Sequence, residues 1–122
     1  MKKVIFLLII LLFIACKKES NDNFSKAIAK TPIDLGKEIF EGKGNCVACH
    51  QPEQKIVGPS IQDIAKTYKE KNASIIIFLK GNAEPLVDPS QYDVMKTNFA
   101  ITKQMTDAEL HAVEAYMNSF LK

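Results

Sequence analysis

The sequence contains no tryptophan and no arginine, and it has only two histidines and three cysteines. Without arginine, the planar two-pronged clamp that binds phosphate and carboxylate groups is missing. The sequence also has little excess of positive over negative charge. Its 16 basic and 14 acidic side chains in 122 residues leave a formal net charge of +2. This balance gives no broad basic surface and argues against nucleic-acid binding. The length allows one small domain.

One long hydrophobic run lies near the N-terminus. Residues 4–15 are all apolar and follow two lysines, but this run is shorter than the about 20 residues that a helix needs to cross a bilayer. The pattern predicts a secretory signal peptide over residues 1–15. The next residue completes Phe-Ile-Ala-Cys, which resembles a bacterial lipobox, so Cys16 is expected to be lipidated. The alternative is an uncleaved membrane anchor, and both predict a tethered domain in the bacterial cell envelope, on the inner or the outer membrane.

The stretch after the hydrophobic run is polar. Residues 16–31 lack a sustained apolar period, which predicts a flexible tether before a folding unit of residues 32–122. Without residues 1–15 the chain has 14 basic and 14 acidic side chains, so its net charge is zero. A domain of about 90 residues has a small hydrophobic core, and a bound cofactor would add to its stability.

The apolar residues of the folding unit recur at helical spacing. On the first helix, Ile33, Gly36 and Phe40 share one face, and Gly36 would let another helix approach closely. Asn72 is expected to cap the third helix, and Thr106 opens a capping box before the last. No second strand pattern accompanies the β-branched run at residues 75–77, so the fold class is all-α. The predicted helices cover residues 32–42, 60–68, 73–80 and 107–121, with a short helical turn at 88–89.

The pattern Cys46-Val47-Ala48-Cys49-His50 carries the strongest chemical signal. Two thiols three positions apart are placed to form thioethers with the two vinyl groups of one haem, and the adjacent histidine is placed to bind the iron. The sequence therefore predicts one covalently bound haem c, attached through Cys46 and Cys49, with His50 as an axial iron ligand.

Three other uses of these cysteines are conceivable. A thioredoxin-like redox pair needs a βαβ pattern, which the sequence lacks. A structural zinc site needs four ligands, and Cys46, Cys49, His50 and His111 are the only candidates once Cys16 is lipidated. A disulfide between Cys46 and Cys49 suits an oxidising compartment but leaves His50 without a role.

Further motifs follow in a fixed order: a helix with Gly36 and Phe40, CVACH, Val57-Gly58-Pro59, Phe78-Leu79-Lys80-Gly81, a methionine-bearing loop, and TDAEL before the last helix. In this order, residues 36–121 resemble a class I bacterial monohaem cytochrome c. The resemblance implies a cytochrome c fold in which the first and last helices cross near the haem. It also implies that the Pro59 carbonyl accepts a hydrogen bond from His50 and orients its ring.

The same resemblance implies that a loop methionine is the second axial ligand. Met105 precedes the capping box and has a structural role there, as the hydrophobic residue that packs against Leu110. Met95 has no such role and is the favoured ligand, although in much of the family the ligand lies nearer the last helix and is followed by proline. His111, inside the last helix, is expected to face solvent or to pack partly, and not to bind the iron.

If His50 and Met95 both bind the iron, no coordination position is open to a substrate, and no acid–base pair or nucleophile accompanies the site. The resemblance then implies an electron carrier, not an enzyme, that is monomeric and exchanges single electrons with redox protein partners. Two alternatives stay open. One is a fixed haem subunit of a larger oxidoreductase. The other, if Met95 does not bind iron, is a sensor or peroxidase-like protein with an open site.

Two further sets of residues are expected around the haem. Candidates for the apolar pocket, which at these spacings also suit an ordinary core, are Ile56, Val57, Ile64, Ile76, Phe78, Leu79 and Phe99. Lysines that would ring the haem edge and steer an acidic partner are Lys43, Lys55, Lys96 and Lys103. Simple solvated surface charges explain the lysines equally well.

Overall fold

The structure, a computed structural model, describes residues 30–122. The predicted signal peptide, the lipidation site Cys16 and most of the tether lie outside these residues. Apart from a single bridge between His50 and Lys55, no β-structure occurs in residues 30–122, and the all-α fold class is confirmed. No helix in this part of the chain has both the length and the apolar character needed to cross a membrane. The helices are α1 (Pro32–Glu41), α2 (Ile61–Glu70), α3 (Ile75–Leu79), α4 (Tyr92–Met95), α5 (Phe99–Thr102) and α6 (Asp107–Asn118).

Helix α1 begins where the sequence predicts. The Thr31 hydroxyl accepts a hydrogen bond from the Asp34 backbone N–H at 3.1 Å, and Pro32 occupies the first turn, where a missing N–H costs nothing. The inner face differs from expectation at one position. Phe40 is buried as predicted, but Ile33 is 45% exposed because it lies in the first turn, beyond the edge of the core.

The crossing of α1 and α6 is the centre of the fold. A Cβ on Gly36 would lie 1.9 Å from the Ala112 carbonyl oxygen and 2.8 Å from the Cβ of Tyr116. The missing side chain therefore lets the two backbones touch, as the sequence predicts. One turn further along α1, the Phe40 ring meets the Tyr116 ring edge-on, with centroids 5.3 Å apart.

Helix α6 opens with the predicted capping box. The Thr106 hydroxyl accepts from the Glu109 N–H at 3.3 Å, and the Glu109 carboxylate accepts from the Thr106 N–H at 2.9 Å. Met105 and Leu110, on either side of this box, are both buried. The buried core comes mainly from α1, α2, α3 and α6 and consists of Ile39, Phe40, Ile61, Ile64, Tyr68, Ile75, Leu79, Met105, Leu110, Ala112, Val113, Tyr116 and Met117.

The middle helices begin slightly later than predicted. Helix α2 starts after Ser60, which serves as its N-cap. Helix α3 is capped by Ser74, whose hydroxyl accepts from the Ile77 N–H at 3.2 Å, so the prediction that Asn72 caps it is wrong. Asn72 has a φ of 49°, a left-handed conformation that asparagine tolerates well and that turns the chain between the two helices.

Residues 82–98, which we call the methionine segment, form one wall of the molecule. They contain a 3-10 turn (Pro89–Gln91), which matches the predicted turn, then α4, and a second 3-10 turn (Lys96–Asn98). These short elements contact mainly one another and α5. Within this described segment no side chain is buried, whereas the next residue, Phe99, is only 7% exposed. The segment is therefore less firmly packed than the helices that carry the core.

Candidate functional site

The cysteine pattern lies in residues 44–59, which we call the cysteine loop. Cys46–Ala48 form a 3-10 turn, and the N–H groups of Cys49 and His50 both donate to the Cys46 carbonyl, at 3.1 and 3.0 Å. This tight turn brings two thiols and one imidazole together. Cys46, Cys49 and His50 all line the same cavity.

His50 is held by a backbone carbonyl. Its Nδ1 donates to the Pro59 carbonyl oxygen at 2.8 Å. Because that carbonyl can only accept, the proton lies on Nδ1 and Nε2 keeps its lone pair. Burial lowers the pKa of His50, and the hydrogen bond to Pro59 opposes this effect only in part. The result is a neutral imidazole with a fixed tautomer, the form that binds metals.

Gly58 leaves the space that this imidazole occupies. A Cβ on Gly58 would lie 2.5 Å from Cε1 and 2.8 Å from Nδ1 of His50, too close for non-bonded atoms. The Gly58 N–H donates to the Cys49 carbonyl at 2.9 Å. This hydrogen bond joins the end of the cysteine loop to its 3-10 turn. The ring position of His50 therefore depends on the absence of a side chain at Gly58, a role for which the sequence gives no separate signal.

Both cysteines are free and half-buried. Burial raises the pKa of the Cys46 thiol to about 11, so the thiol is protonated at neutral pH. The disulfide alternative gains no support from two free thiols. Among residues 30–122, no group of three or more histidine, cysteine or acidic side chains is arranged to hold a metal ion, so the zinc alternative has no ligand set there.

A cavity of about 200 Å³ opens beside the cysteine loop. Helices α1, α2, α3, α4 and α6 all contribute to its walls, which are mainly apolar. The lining includes Phe40, Val57, Ile64, Tyr68, Ile75, Phe78, Leu79, Tyr92, Val94, Met95, Val113 and Met117. Four of the predicted pocket residues are among these.

The other three pocket predictions are wrong, because Ile56, Ile76 and Phe99 are not part of the lining found in residues 30–122. Ile56 is 42% exposed and faces outward from the cysteine loop. Phe99 lies behind the wall, with its ring centroid 5.5 Å from that of Phe78. Periodicity identified these residues as apolar but did not distinguish the cavity from the core behind it.

The two candidate methionines lie in different places. Met95 ends α4, is partly buried and lines the cavity. Met105 is 8% exposed, and its Cε lies 3.3 Å from the position that a Cβ on Gly44 would take, so it packs in the core beneath the cysteine loop. His111 has a side chain that is 70% exposed on the outer face of α6. Of the three, Met95 shares the cavity with His50.

Sequence reasoning missed the polar part of the cavity wall. Tyr68 is 4% exposed, and burial raises its pKa to about 12. Its spacing of one helical turn from Ile64 is a signal that could have identified it. Asn98 and Asp88 also line the cavity, and each is held by a residue of the cysteine loop. No sequence pattern signals such long-range hydrogen bonds.

Most of the four lysines named above are paired with carboxylates. The pairs are Lys43 with Glu109, Lys55 with Asp88 at 2.7 Å, and Lys96 with Asp93 at 2.5 Å. The Lys103 ammonium instead lies over the Phe99 ring, 5.5 Å from its centroid. Positive charge is therefore largely balanced within the molecule, which weakens any long-range attraction for an acidic partner.

The residues present fit a covalently attached haem. Two free thiols stand at the spacing that the haem vinyl groups require, beside a neutral imidazole whose other nitrogen is engaged by Pro59. A thioether, that of Met95, is on the wall of the same cavity. The apolar lining suits the flat face of a porphyrin, and the space at Gly58 accommodates the imidazole.

Comparison with known proteins agrees with this fit. Residues 33–120 match the cytochrome c family. Cytochrome c-552 of Nitrosomonas europaea is 48% identical over 44 residues, which are 36% of this chain and 38% of that protein. Cytochrome c-551 of Pseudomonas denitrificans is 48% identical over 61 residues, which are 44% of this chain and 73% of that protein. Cytochrome c2 of Rubrivivax gelatinosus is 59% identical over 39 residues, 32% of this chain and 40% of that protein.

The chain thus spans less than half the length of two of these relatives and about three quarters of the third. The family match is much longer than these local similarities and includes nearly every residue that the structure describes. It contains the cysteine loop, the cavity and both ends of the α1–α6 crossing. The chain therefore belongs to the cytochrome c family and carries one covalently attached haem c.

Proposed function

We propose that this protein is a single-haem electron carrier of the bacterial cell envelope, which passes electrons one at a time between redox protein partners. The observation that carries the proposal is that the His50 imidazole and the Met95 thioether line one cavity. If both bind the iron, no position remains for a substrate. Haem c supplies reversible one-electron chemistry when bound.

In this proposal each residue of the site has a distinct role. Cys46 and Cys49 hold the haem through thioethers, and His50 and Met95 are its axial ligands. The Pro59 carbonyl occupies His50 Nδ1 and leaves Nε2 for the iron. A thioether favours ferrous iron and raises the reduction potential relative to two histidines. The apolar walls act in the same direction, because they disfavour the extra positive charge of the ferric state.

The N-terminal sequence supports attachment to a membrane. Cys16, at the end of the lipobox-like sequence, would carry the lipid, and residues 17–30 would connect it to α1. These residues reach at most about 50 Å when fully extended. The domain would therefore exchange electrons with partners close to the membrane surface.

A second candidate is a fixed haem subunit of a larger oxidoreductase. The observation that favours it is exposed apolar surface beside the cavity: Val47, Ile56, Val57 and Val94 are each between 36% and 50% exposed. Val57 and Val94 also line the cavity itself. Apolar surface next to a cofactor suits a lasting protein contact. Purification as a stable monomer from the native membrane would favour the free carrier, and consistent co-purification with other subunits would favour the complex.

The experiment that tests the proposal compares Met95→Ala with Met105→Ala in the haem-loaded protein. Visible spectra are recorded for the oxidised and reduced forms, with and without carbon monoxide. We expect wild-type protein to be low-spin and unaffected by carbon monoxide, and Met95→Ala to bind it. Met105→Ala should keep the wild-type spectrum but lose about 2–5 kcal/mol of unfolding free energy, because a core side chain is removed.

Each other outcome has a definite meaning. If only Met105→Ala binds carbon monoxide, Met105 is the ligand and the assignment of Met95 is wrong. If both variants stay low-spin and unreactive, the ligand is neither methionine. If wild-type protein binds carbon monoxide readily, the iron has an open position, and a sensor or peroxidase-like protein replaces the electron carrier.

A further inference from the structure

Two polar contacts join the methionine segment to the cysteine loop. The Lys55 ammonium donates to Asp88 Oδ2 at 2.7 Å, and Asn98 Nδ2 donates to the Gly44 carbonyl oxygen at 3.1 Å. In the cysteine loop, Gly44 and Lys55 lie before and after the CVACH pattern. In the methionine segment, Asp88 and Asn98 lie before and after Met95. Each proposed axial ligand is therefore flanked along the sequence by one residue from each contact.

The other side-chain contacts found between the methionine segment and the rest of the described chain are apolar. Leu86, Val87 and Met95 are only partly buried against the core, and the Tyr92 ring packs on Phe78 and Phe99. Within residues 82–98 no side chain is fully buried, and the short helices contact mainly one another and α5. The other side-chain hydrogen bonds found in this described segment stay inside it, from Ser90 to Asp88 and from Thr97 to the Val94 carbonyl. Apolar packing is not directional, so the two hydrogen-bonded contacts to the cysteine loop are the ones that fix the position of Met95 relative to His50.

We propose that Asn98 and the Lys55–Asp88 pair are positioning residues, which hold the methionine segment closed over the cavity and so keep Met95 within reach of the iron. This proposal rests on the proposed function, in which Met95 is an axial ligand. The two contacts differ in kind. Asn98 makes a neutral, part-buried hydrogen bond, whereas the Lys55 side chain is 60% exposed and that of Asp88 is 14% exposed. Salt therefore weakens the ion pair but not the hydrogen bond.

The test measures two quantities in the haem-loaded protein. One is the rate of carbon monoxide binding to the reduced form, and the other is amide hydrogen exchange in residues 82–98. Asn98→Leu removes the donor at nearly constant size, and Lys55→Met removes the charge. Two matched controls make the same changes elsewhere: Asn118→Leu at the exposed end of α6, and Lys66→Met, which breaks an ion pair inside α2.

The two variants should behave differently with salt. Loss of one hydrogen bond should make Asn98→Leu bind carbon monoxide roughly fivefold faster at every ionic strength. Lys55→Met should be about twofold faster, and only at low ionic strength. Amide exchange in residues 82–98 should accelerate in parallel, while both controls match wild type. Reversing the pair, with Lys55→Asp and Asp88→Lys together, should restore the wild-type rates.

Hydrogen exchange separates this proposal from the ligand assignment. If Met95 does not bind iron, the rate of carbon monoxide binding no longer reports on the methionine segment, but exchange in residues 82–98 still accelerates in the variants. Unchanged exchange in Asn98→Leu and Lys55→Met overturns the positioning role whatever the ligand is. Equal acceleration in the Asn118→Leu and Lys66→Met controls also overturns it. If Asn98→Leu does not accumulate with haem, Asn98→Asp, which keeps the size and loses the donor, is measured instead.

Discussion

At the scale of single residues, the imidazole of His50 is set in place by backbone groups. The Pro59 carbonyl fixes which nitrogen carries the proton, and Gly58 provides the space for the ring. The CVACH pattern predicts that His50 is a ligand, but its orientation comes from residues eight and nine positions further along the chain. Haem attachment and ligand orientation are therefore separable properties of the cysteine loop.

Gly58→Ala tests this separation. The added methyl group should displace the His50 ring and weaken its hydrogen bond to Pro59. Loss of that bond makes the imidazole a less basic ligand, so the reduction potential should rise. We expect a rise of roughly tens of millivolts, since a tenfold change in relative affinity for the two oxidation states corresponds to about 59 mV.

Voltammetry measures the potential, and proton NMR follows the His50 Nδ1–H signal. The matched control is Ile56→Ala, which trims an exposed residue in the same loop. A Gly58→Ala protein with a normal spectrum, an unchanged potential and an unchanged Nδ1–H signal would show that the ring does not depend on the space at Gly58.

At the scale of secondary-structure elements, α1 and α6 approach each other closely at Gly36. Gly36→Ala places a Cβ 1.9 Å from the Ala112 carbonyl oxygen, so the helices must separate. We expect a loss of about 3 kcal/mol in unfolding free energy, or roughly 15 °C in melting temperature for a domain of this size. Chemical unfolding of the haem-loaded protein measures the loss. Lys37→Ala, on the outer face of the same helix, should change stability little, and an equal loss there would contradict the argument.

The contribution of the start of α6 to protein stability depends on pH. Hydrogen bonds from Lys43 and from the Thr106 backbone hold the pKa of Glu109 below its usual value. The folded protein therefore binds this proton less readily than the unfolded chain does. The stabilisation is complete above the pKa of about 4.3 in the unfolded chain, and it is lost as the pH falls through the lower folded value.

Glu109→Gln should accordingly flatten the decline of stability with falling pH. Chemical unfolding of the haem-loaded protein at a series of pH values below about 4.5 measures this slope. The control is Glu84→Gln, an exposed glutamate outside the ion pairs found in residues 30–122. Identical slopes for wild type and Glu109→Gln would show that protonation of Glu109 does not affect the stability of the protein.

Local signals predicted the helices better than they predicted the site. Caps such as Thr31 and Thr106 act within four residues, so α1 and α6 start where the sequence indicates. The sequence predicts a cap at Asn72 although Ser74 fills that role, because both residue types favour caps and turns. The cavity wall combines residues from distant parts of the chain, and contacts such as Asn98 to Gly44, 54 residues apart, leave no trace in local spacing.

At the scale of the whole molecule, charge is balanced both in number and in space. Residues 17–122 contain 14 basic and 14 acidic side chains, and most lysines beside the cavity have carboxylate partners. Long-range steering of a partner by such a surface is weak. We therefore expect electron exchange to depend only slightly on ionic strength.

Lys96→Glu combined with Lys103→Glu tests the steering role of these lysines. The rate of reduction of ferricyanide, a small anionic oxidant, is measured by stopped flow at low and high salt. If the lysines attract anions, the double variant should be a few-fold slower at low salt and equal to wild type at high salt. Lys66→Glu with Lys69→Glu, on α2, is the control of equal charge. Equal rates for wild type and the Lys96/Lys103 variant would mean that these are ordinary solvated charges.

The crossing of α1 and α6 also has a consequence for the order of events during biogenesis. The thiols of Cys46 and Cys49 follow α1 directly, whereas Val113 and Met117, which complete the cavity wall, belong to the last helix. A chain that emerges N-terminus first presents its thiols before the helix that encloses them exists. The cofactor can thus be joined to an open chain. The closing contact, between the first and the last helix of residues 30–122, is left until synthesis ends.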